Sequence, residues 1–298
     1  MGMGVDVAAT SATAADIFKR AQRVLGYDLL AVCRDGPEET LRETRFSQPA
    51  IYVTNYALAV ASECLEACVV SAGHSFGEYC SLTIADALDF EQALGLVNER
   101  ALAMQEAAER APGGMSAILG LDPQLVVQAV ESARSHGRVQ LANFNAPGQI
   151  VVSGDIGAVQ RAGELAMELG AKRVVPLSVS GAWHSELMEP ARLQFAPFVE
   201  RAEIRPARFA VISNVDAQPY ADVEHIRRNL IASVTAEVLW HKTALRLVDA
   251  GLDAILEFGA SPVLAPLFRR IAGAPKVLHA GNPDGLARVR ATLTASPA

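Results

Sequence analysis

Chemistry in this chain starts from one serine. Gly73-His74-Ser75-Phe76-Gly77 fits the Gly-x-Ser-x-Gly elbow, in which small flanking residues let a strand turn sharply into a helix and leave the serine oxygen exposed. Such a turn sets Ser75 at the positive end of a helix and frees the Phe76 N–H as an oxyanion donor. A plain glycine-rich turn is the alternative, but an apolar run before the motif and a helix-compatible segment after it favour the elbow. A serine of ordinary pKa needs a base, usually a histidine, within hydrogen-bond reach. Six histidines compete. His136 lies in a polar loop, His225 stands near Arg227 and Arg228, and His279 ends a terminal strand, which makes all three solvated or structural candidates. His241 follows Trp240 and stays open. His184, in Ser180-Gly181-Ala182-Trp183-His184-Ser185, sits in a small-residue loop after a strand, where backbone can bring an imidazole to a site.

Arg100 adds a second kind of signal. At about 100° per residue, Ala93, Leu96, Val97 and Met104 form the apolar stripe of a helix, and Arg100 falls in the middle of it. An inward-facing guanidinium needs an anion. The spacing leaves two open: a structural carboxylate, or a substrate carboxylate held bidentately.

The elements that must position these residues are legible in outline. Ser11–Gly26 reads as a helix, with Thr13 and Asp16 as a capping box and Gly26 as its stop. Further helices are expected from Pro49 into Cys64 and from Phe90 to Arg110, with a buried strand at Ala67–Ala72. From Met115 to Val179 the pattern runs strand, helix, strand, strand, helix, strand, the ferredoxin-like order, which suggests a small inserted subdomain. Beyond it, strands at Phe209–Asn214 and Ala254–Phe258 alternate with helices near Glu224–Leu230 and Pro262–Ile271, the rhythm of a mainly parallel α/β sheet.

Composition bounds the rest. With 298 residues, 51% hydrophobic and 20% charged, the chain has the make-up of a globular protein with a sizeable core. Its 26 basic residues against 33 acidic ones give a net charge of −7, and no basic stripe tracks a phosphate backbone, so nucleic acid is not an expected partner. No apolar run approaches the roughly 18 residues of a membrane span. The opening lacks a signal-peptide pattern, and Asp6 stands where myristoylation wants Ser or Thr. Four cysteines in so long a chain make no disulfide framework and point to a reducing, cytoplasmic setting. Cys64 and Cys68 are expected to share a helix face as small buried residues, with no His/Cys pair nearby to complete a zinc set. No metal site is expected.

Taken together, Gly73–Glu78, Arg100 with Met104-Gln105, Asn143-Phe144-Asn145-Ala146-Pro147-Gly148-Gln149, Ala182–Ser185 and Ser213-Asn214-Val215 resemble the malonyl-CoA:acyl carrier protein transacylase family over nearly the whole chain. Within it, Thr44–Tyr52 is most similar to freestanding acyltransferases that serve polyketide assembly lines. The resemblance implies an α/β-hydrolase-like large domain (1–114 and 181–298) with a ferredoxin-like small subdomain (115–180). It implies Ser75 as the nucleophile that takes the acyl group, His184 as its base and later acid, Phe76 as an oxyanion donor, and Arg100 as the partner of the malonyl carboxylate. Gln48, His74, Met104, Asn145 and Trp183 are implied as substrate-binding residues, Trp183 standing in place of a phenylalanine as a bulky pocket wall. The Leu239 backbone carbonyl is implied to orient His184. The implied reaction passes malonyl from malonyl-CoA to Ser75 and on to the phosphopantetheine thiol of an acyl carrier protein, in polyketide or fatty-acid biosynthesis, with no cofactor.

One departure from the family pattern bears on the oxyanion hole. Members begin with a strand and a Gly-Gln-Gly-Ser-Gln loop, whereas Met1-Gly2-Met3-Gly4 resembles the segment just after that loop; the expectation is a misassigned start rather than a weakened enzyme. Two other functions compete: an acyl-carrier-protein hydrolase that gives the acyl-serine to water, and a carrier-binding relic. Arg100 argues against the hydrolase, which has no use for a carboxylate clamp.

Overall fold

The computed structural model describes residues 1–294. In chain order they form α1 (Val5–Thr10), α2 (Ala12–Leu25), α3 (Leu29–Asp35), α4 (Glu38–Arg42), α5 (Thr44–Ala61), β1 (Val70–Ala72), α6 (Gly77–Ile84) and α7 (Phe90–Arg110). Then come β2 (Gly114–Leu119), α8 (Pro123–Ala133), β3 (Val139–Ala146), β4 (Gln149–Gly154), α9 (Ile156–Glu168), β5 (Arg173–Pro176) and α10 (Glu189–Arg201). The chain continues through β6 (Ala210–Ile212), α11 (Val223–Ala232), α12 (Trp240–Asp249), β7 (Ile255–Phe258), α13 (Ala265–Phe268), β8 (Val277–Ala280) and α14 (Pro283–Thr294). This is an α/β fold, and no described helix is long and apolar enough to cross a membrane.

Two compact units divide the chain. The first comprises Met1–Ala101, Glu203–Ile212 and the chain from Arg246. It carries two parallel strand pairs, β1 with β6 and β7 with β8, so the parallel character expected of this part is present in separate pairs. Short strands joined by helices pair in parallel because the crossover returns the chain in the same direction. The cap of helix α2 lies two residues earlier than the sequence pattern suggests: Ser11, not Thr13, is the cap, accepting from the Ala14 N–H at 3.3 Å, while Gly26 stops the helix in a left-handed conformation. Helix α5 begins at Thr44 and runs through Pro49. Proline forfeits a helix hydrogen bond and disfavours helical backbone just before it, which is why the pattern reads as starting there. Cys64 and Cys68 do not share a helix face; they flank the 3₁₀ turn Leu65–Ala67, both half-buried.

Leu102–Ala202 and Ser213–Leu245 form the second unit. Its sheet runs β3-β4-β2-β5 and is antiparallel throughout. Helices α8 and α9 bury Val126, Ala129, Val130, Ala158, Val159 and Ala162 against Ile118, Val139, Ile150 and Val152 of that sheet. Burying a side chain of the Val or Ile class contributes roughly 1.5–3 kcal/mol, so this face is a core in its own right. Strand β3 runs to Ala146, and a parallel bridge from Asn143 to Val238 adds a further segment at its outer edge.

Candidate active site

In the first unit the predicted elbow is formed as the sequence reads it. Strand β1 ends at Ala72, Ser75 sits at φ +53°, and α6 begins at Gly77. A left-handed serine is costly backbone of the kind that concentrates at functional sites. Only one of the two motif glycines is sterically required: a Cβ on Gly73 would lie 2.0 Å from the Gly77 carbonyl carbon, whereas one on Gly77 would meet nothing within 4 Å. Gly77, Glu78 and Tyr79 N–H groups donate back to the His74, Ser75 and Phe76 carbonyls at 3.0–3.1 Å. None of these bonds uses the Phe76 N–H, which lies where a helix leaves its first donors without internal partners. His74 is half-buried within the same turn.

Arg100 comes off α7 into this neighbourhood. It is 1% exposed, as are its stripe neighbours Ala93, Leu96, Val97 and Met104 to within a few per cent. Its Nη1 donates to Gln48 Oε1 at 2.7 Å, and Nη2 lies 3.5 Å from Ser75 Oγ, the long edge of a hydrogen bond. Buried Nε has no partner among the described residues, and no carboxylate there stands within ion-pair distance of the guanidinium. Burial holds the Arg100 pKa below its ordinary value, with Tyr79 and Glu78 acting in the opposite direction. A guanidinium keeps its charge through such a shift. Among the described residues no carboxylate lies within ion-pair distance of the guanidinium; the buried Glu78 carboxylate acts on it from farther off, and Gln48, on the turn of α5 before Pro49, takes a neutral share of the charge.

The second unit holds His184. It is 4% exposed, at φ +59°, in the loop between β5 and the 3₁₀ turn Glu186–Met188. Its Nδ1 faces two backbone oxygens, Ser233 at 2.9 Å and Ala236 at 3.1 Å. Two acceptors on one ring nitrogen assign the proton to Nδ1 and leave a lone pair on Nε2 in the neutral ring. Leu239 does not supply this contact: its carbonyl accepts the Thr243 N–H at the start of α12, and its own N–H donates to Asn214 O. A backbone carbonyl has no side-chain signature, so the expectation of Leu239 fell three residues beyond Ala236 and six beyond Ser233.

The remaining predicted residues are distributed as follows. Met104 is buried on α7 and Asn145 is half-buried near the end of β3. Trp183 packs beside Met115, Ala117, Ala142 and Val151. Gly181 makes room for it, since a Cβ there would lie 2.6 Å from the indole. Among the other histidines, His225 Nε2 donates to Asp216 at 2.7 Å and His279 Nε2 to Gly259 O at 2.7 Å, both structural as expected. His241 has its pKa lowered by burial. One supporting residue went unread: Gln140 of β3, whose side-chain amide donates to the His184 carbonyl and accepts the Glu186 N–H. No sequence pattern marks such a residue, since its partners are main-chain groups.

Comparison with known proteins follows this geometry. The family model described as Acyl transferase domain matches residues 1–272. The chain is 37% identical over 276 residues to a malonyl CoA-acyl carrier protein transacylase of Haemophilus influenzae, covering 92% of this chain and 88% of that one. Against its Bacillus subtilis counterpart the figures are 35% over 297 residues, 98% and 93%. A solved structure described as a type II PKS acyl-carrier protein in complex with its malonyl-transacylase matches with TM-score 0.93 and 35% identity, covering 98% of this chain and 95% of that one. An acyl carrier protein S-malonyltransferase from Vibrio cholerae matches with TM-score 0.92 and 36% identity, covering 97% and 95%.

Proposed function

Because the chain belongs to the acyl transferase domain family, we infer that it is an acyltransferase that moves a malonyl group from malonyl-CoA to an acyl carrier protein. Relatives named for that activity are 35–37% identical over most of the chain. The observation that carries the choice of acyl group is Arg100: a buried guanidinium with an amide for a neighbour and its Nη2 3.5 Å from the Ser75 oxygen. A malonyl thioester brings both things this arrangement asks for, a carbonyl for the serine and a free carboxylate for the arginine.

In the acylation half, Ser75 Oγ attacks the thioester carbonyl while His184 Nε2 takes its proton. The Ser233 and Ala236 carbonyls, accepting from Nδ1–H, stabilise the imidazolium and fix its ring. The Phe76 N–H donates to the oxyanion. The C–S bond breaks, His184 returns the proton to the departing CoA sulfur, and malonyl remains as an ester on Ser75. In the second half the phosphopantetheine thiol of the carrier gives its proton to His184 and attacks the ester; Ser75 leaves as alkoxide and regains that proton. Every bond made or broken is an ester or a thioester, so the chemistry calls for no cofactor. Gln48 supports Arg100 in this reading, while His74, Met104, Asn145 and Trp183 line the acyl site.

We read 1–114 with 181–298 as an α/β-hydrolase-like large domain and 115–180 as a ferredoxin-like insert; the β3-β4-β2-β5 sheet order with two crossover helices supports the latter. A cytoplasmic setting, in fatty-acid or polyketide assembly, belongs to the same reading, in keeping with four free cysteines. The test is transfer itself: malonyl-CoA and a phosphopantetheinylated carrier incubated with the enzyme. Malonyl-carrier product supports the transferase, and release of free malonate without it supports the hydrolase instead.

A further inference from the structure

We propose that Gln140 is a positioning residue for His184, acting through the backbone of the loop that carries the imidazole. Its side chain is half-buried on β3. Nε2 donates to the His184 carbonyl at 3.3 Å, and Oε1 accepts the Glu186 N–H at 2.9 Å. One partner is an acceptor and the other a donor, so the amide orientation is fixed by its surroundings. The two bonds span Ser185 and pin the C-terminal side of His184, a residue held at φ +59°, a conformation that persists only where neighbouring structure enforces it.

The same strand also holds the acceptors that His184 faces. Two residues beyond Gln140, the Ala142 carbonyl accepts the Val238 N–H at 2.8 Å, and the Phe144 N–H donates to Val238 O at 2.9 Å. Val238 lies two residues from Ala236, whose carbonyl meets Nδ1. One stretch of β3 therefore sets both partners of the imidazole contact, the histidine through Gln140 and the carbonyl segment through the ladder. Gln140 is attached to the first of these alone. Removing its amide frees the His184 backbone while leaving the carbonyls in place, which misaligns Nε2 without touching the groups assigned to the malonyl carboxylate.

This inference rests on His184 being the general base. Its test uses the full chain as wild type, Gln140→Ala, Gln140→Met, His184→Ala and the Gln140→Ala/His184→Ala double variant, with the rate of malonyl-enzyme formation followed by rapid quench and intact mass. An ångström of misplacement in a catalytic group costs up to about a hundred-fold. Gln140→Ala should lower the maximal loading rate about ten-fold with KM for malonyl-CoA changed less than about two-fold. Gln140→Met, which keeps the side-chain length and packing, should be equally slow. In the His184→Ala background, Gln140→Ala should cost nothing further, because residues acting as one unit are not additive. A Gln140→Met enzyme at the wild-type rate, or a further loss in the double variant, overturns the proposal. If His184→Ala loads malonyl at the wild-type rate, the reading of the base fails; if it is crippled and Gln140→Ala is not, only the role of Gln140 fails.

Discussion

The Arg100 guanidinium and the Gln48 amide oxygen meet at 2.7 Å in a fully buried setting, a cation answered by a neutral acceptor. Buried Glu78 acts on that cation only from beyond ion-pair distance, and a buried charge so held is expensive; it is retained where something else supplies a closer anion. Arg100→Ala should therefore separate substrates. A hydrogen bond to a charged group contributes about 1.5–3 kcal/mol, so malonyl loading should fall roughly ten- to hundred-fold while acetyl loading holds or improves. Competition of malonyl-CoA with acetyl-CoA for Ser75 measures this directly; unchanged preference in the variant contradicts the carboxylate clamp.

The elbow makes an asymmetric prediction about its glycines. Gly73→Ala drives a Cβ to 2.0 Å from the Gly77 backbone and should destabilise the chain by at least about 1–3 kcal/mol as well as abolish acylation. Gly77→Ala has open space and sits at the first position of a helix, so its stability should change by no more than the roughly 0.5 kcal/mol typical of neutral changes. Thermal melts of the two variants decide it, and equal damage from both would contradict the geometry.

Asp216 predicts a pH dependence. Burial acts to raise its pKa, but the Gln218 N–H, His225 Nε2 and Asn229 Nδ2 donate to its carboxylate at 2.9, 2.7 and 3.0 Å, and the net effect holds it below its ordinary value. A folded-state pKa below the unfolded value of about 3.9 means the stabilisation is complete above that value and disappears as pH falls through the folded pKa. Asp216→Asn should melt lower than wild type at pH 6, and the gap should narrow as pH is lowered toward 3. A gap independent of pH contradicts the assignment.

What the sequence disclosed follows the physics of each element. Helix α7 was legible end to end because its apolar stripe repeats over several turns and Pro112 follows it; the burial of Arg100 within that stripe is as the spacing required. The first helix of the 115–179 stretch was legible in kind for the same reason; it is α8, capped by Asp122. Helices α3, α4 and α10 were not read: the first two are short, and α10 carries Pro190 and Pro197 inside its span. Among the candidate site residues, Ser75 and Arg100 stand out in the sequence by type and spacing, whereas His184 is singled out from the other histidines by the family resemblance. The Ser233 and Ala236 carbonyls and the Gln140 amide do not stand out, because they act through main-chain geometry that only three-dimensional structure reveals.

The central claim is that Ser75 carries the malonyl group between its two thiol partners. Intact-protein mass spectrometry of wild type and Ser75→Ala after mixing with malonyl-CoA, followed by a phosphopantetheinylated carrier, tests it most directly. The account predicts one malonyl adduct on wild type, none on Ser75→Ala, and loss of that adduct to the carrier on its addition. A malonyl adduct that survives in Ser75→Ala, or one on wild type that the carrier cannot remove, would contradict it.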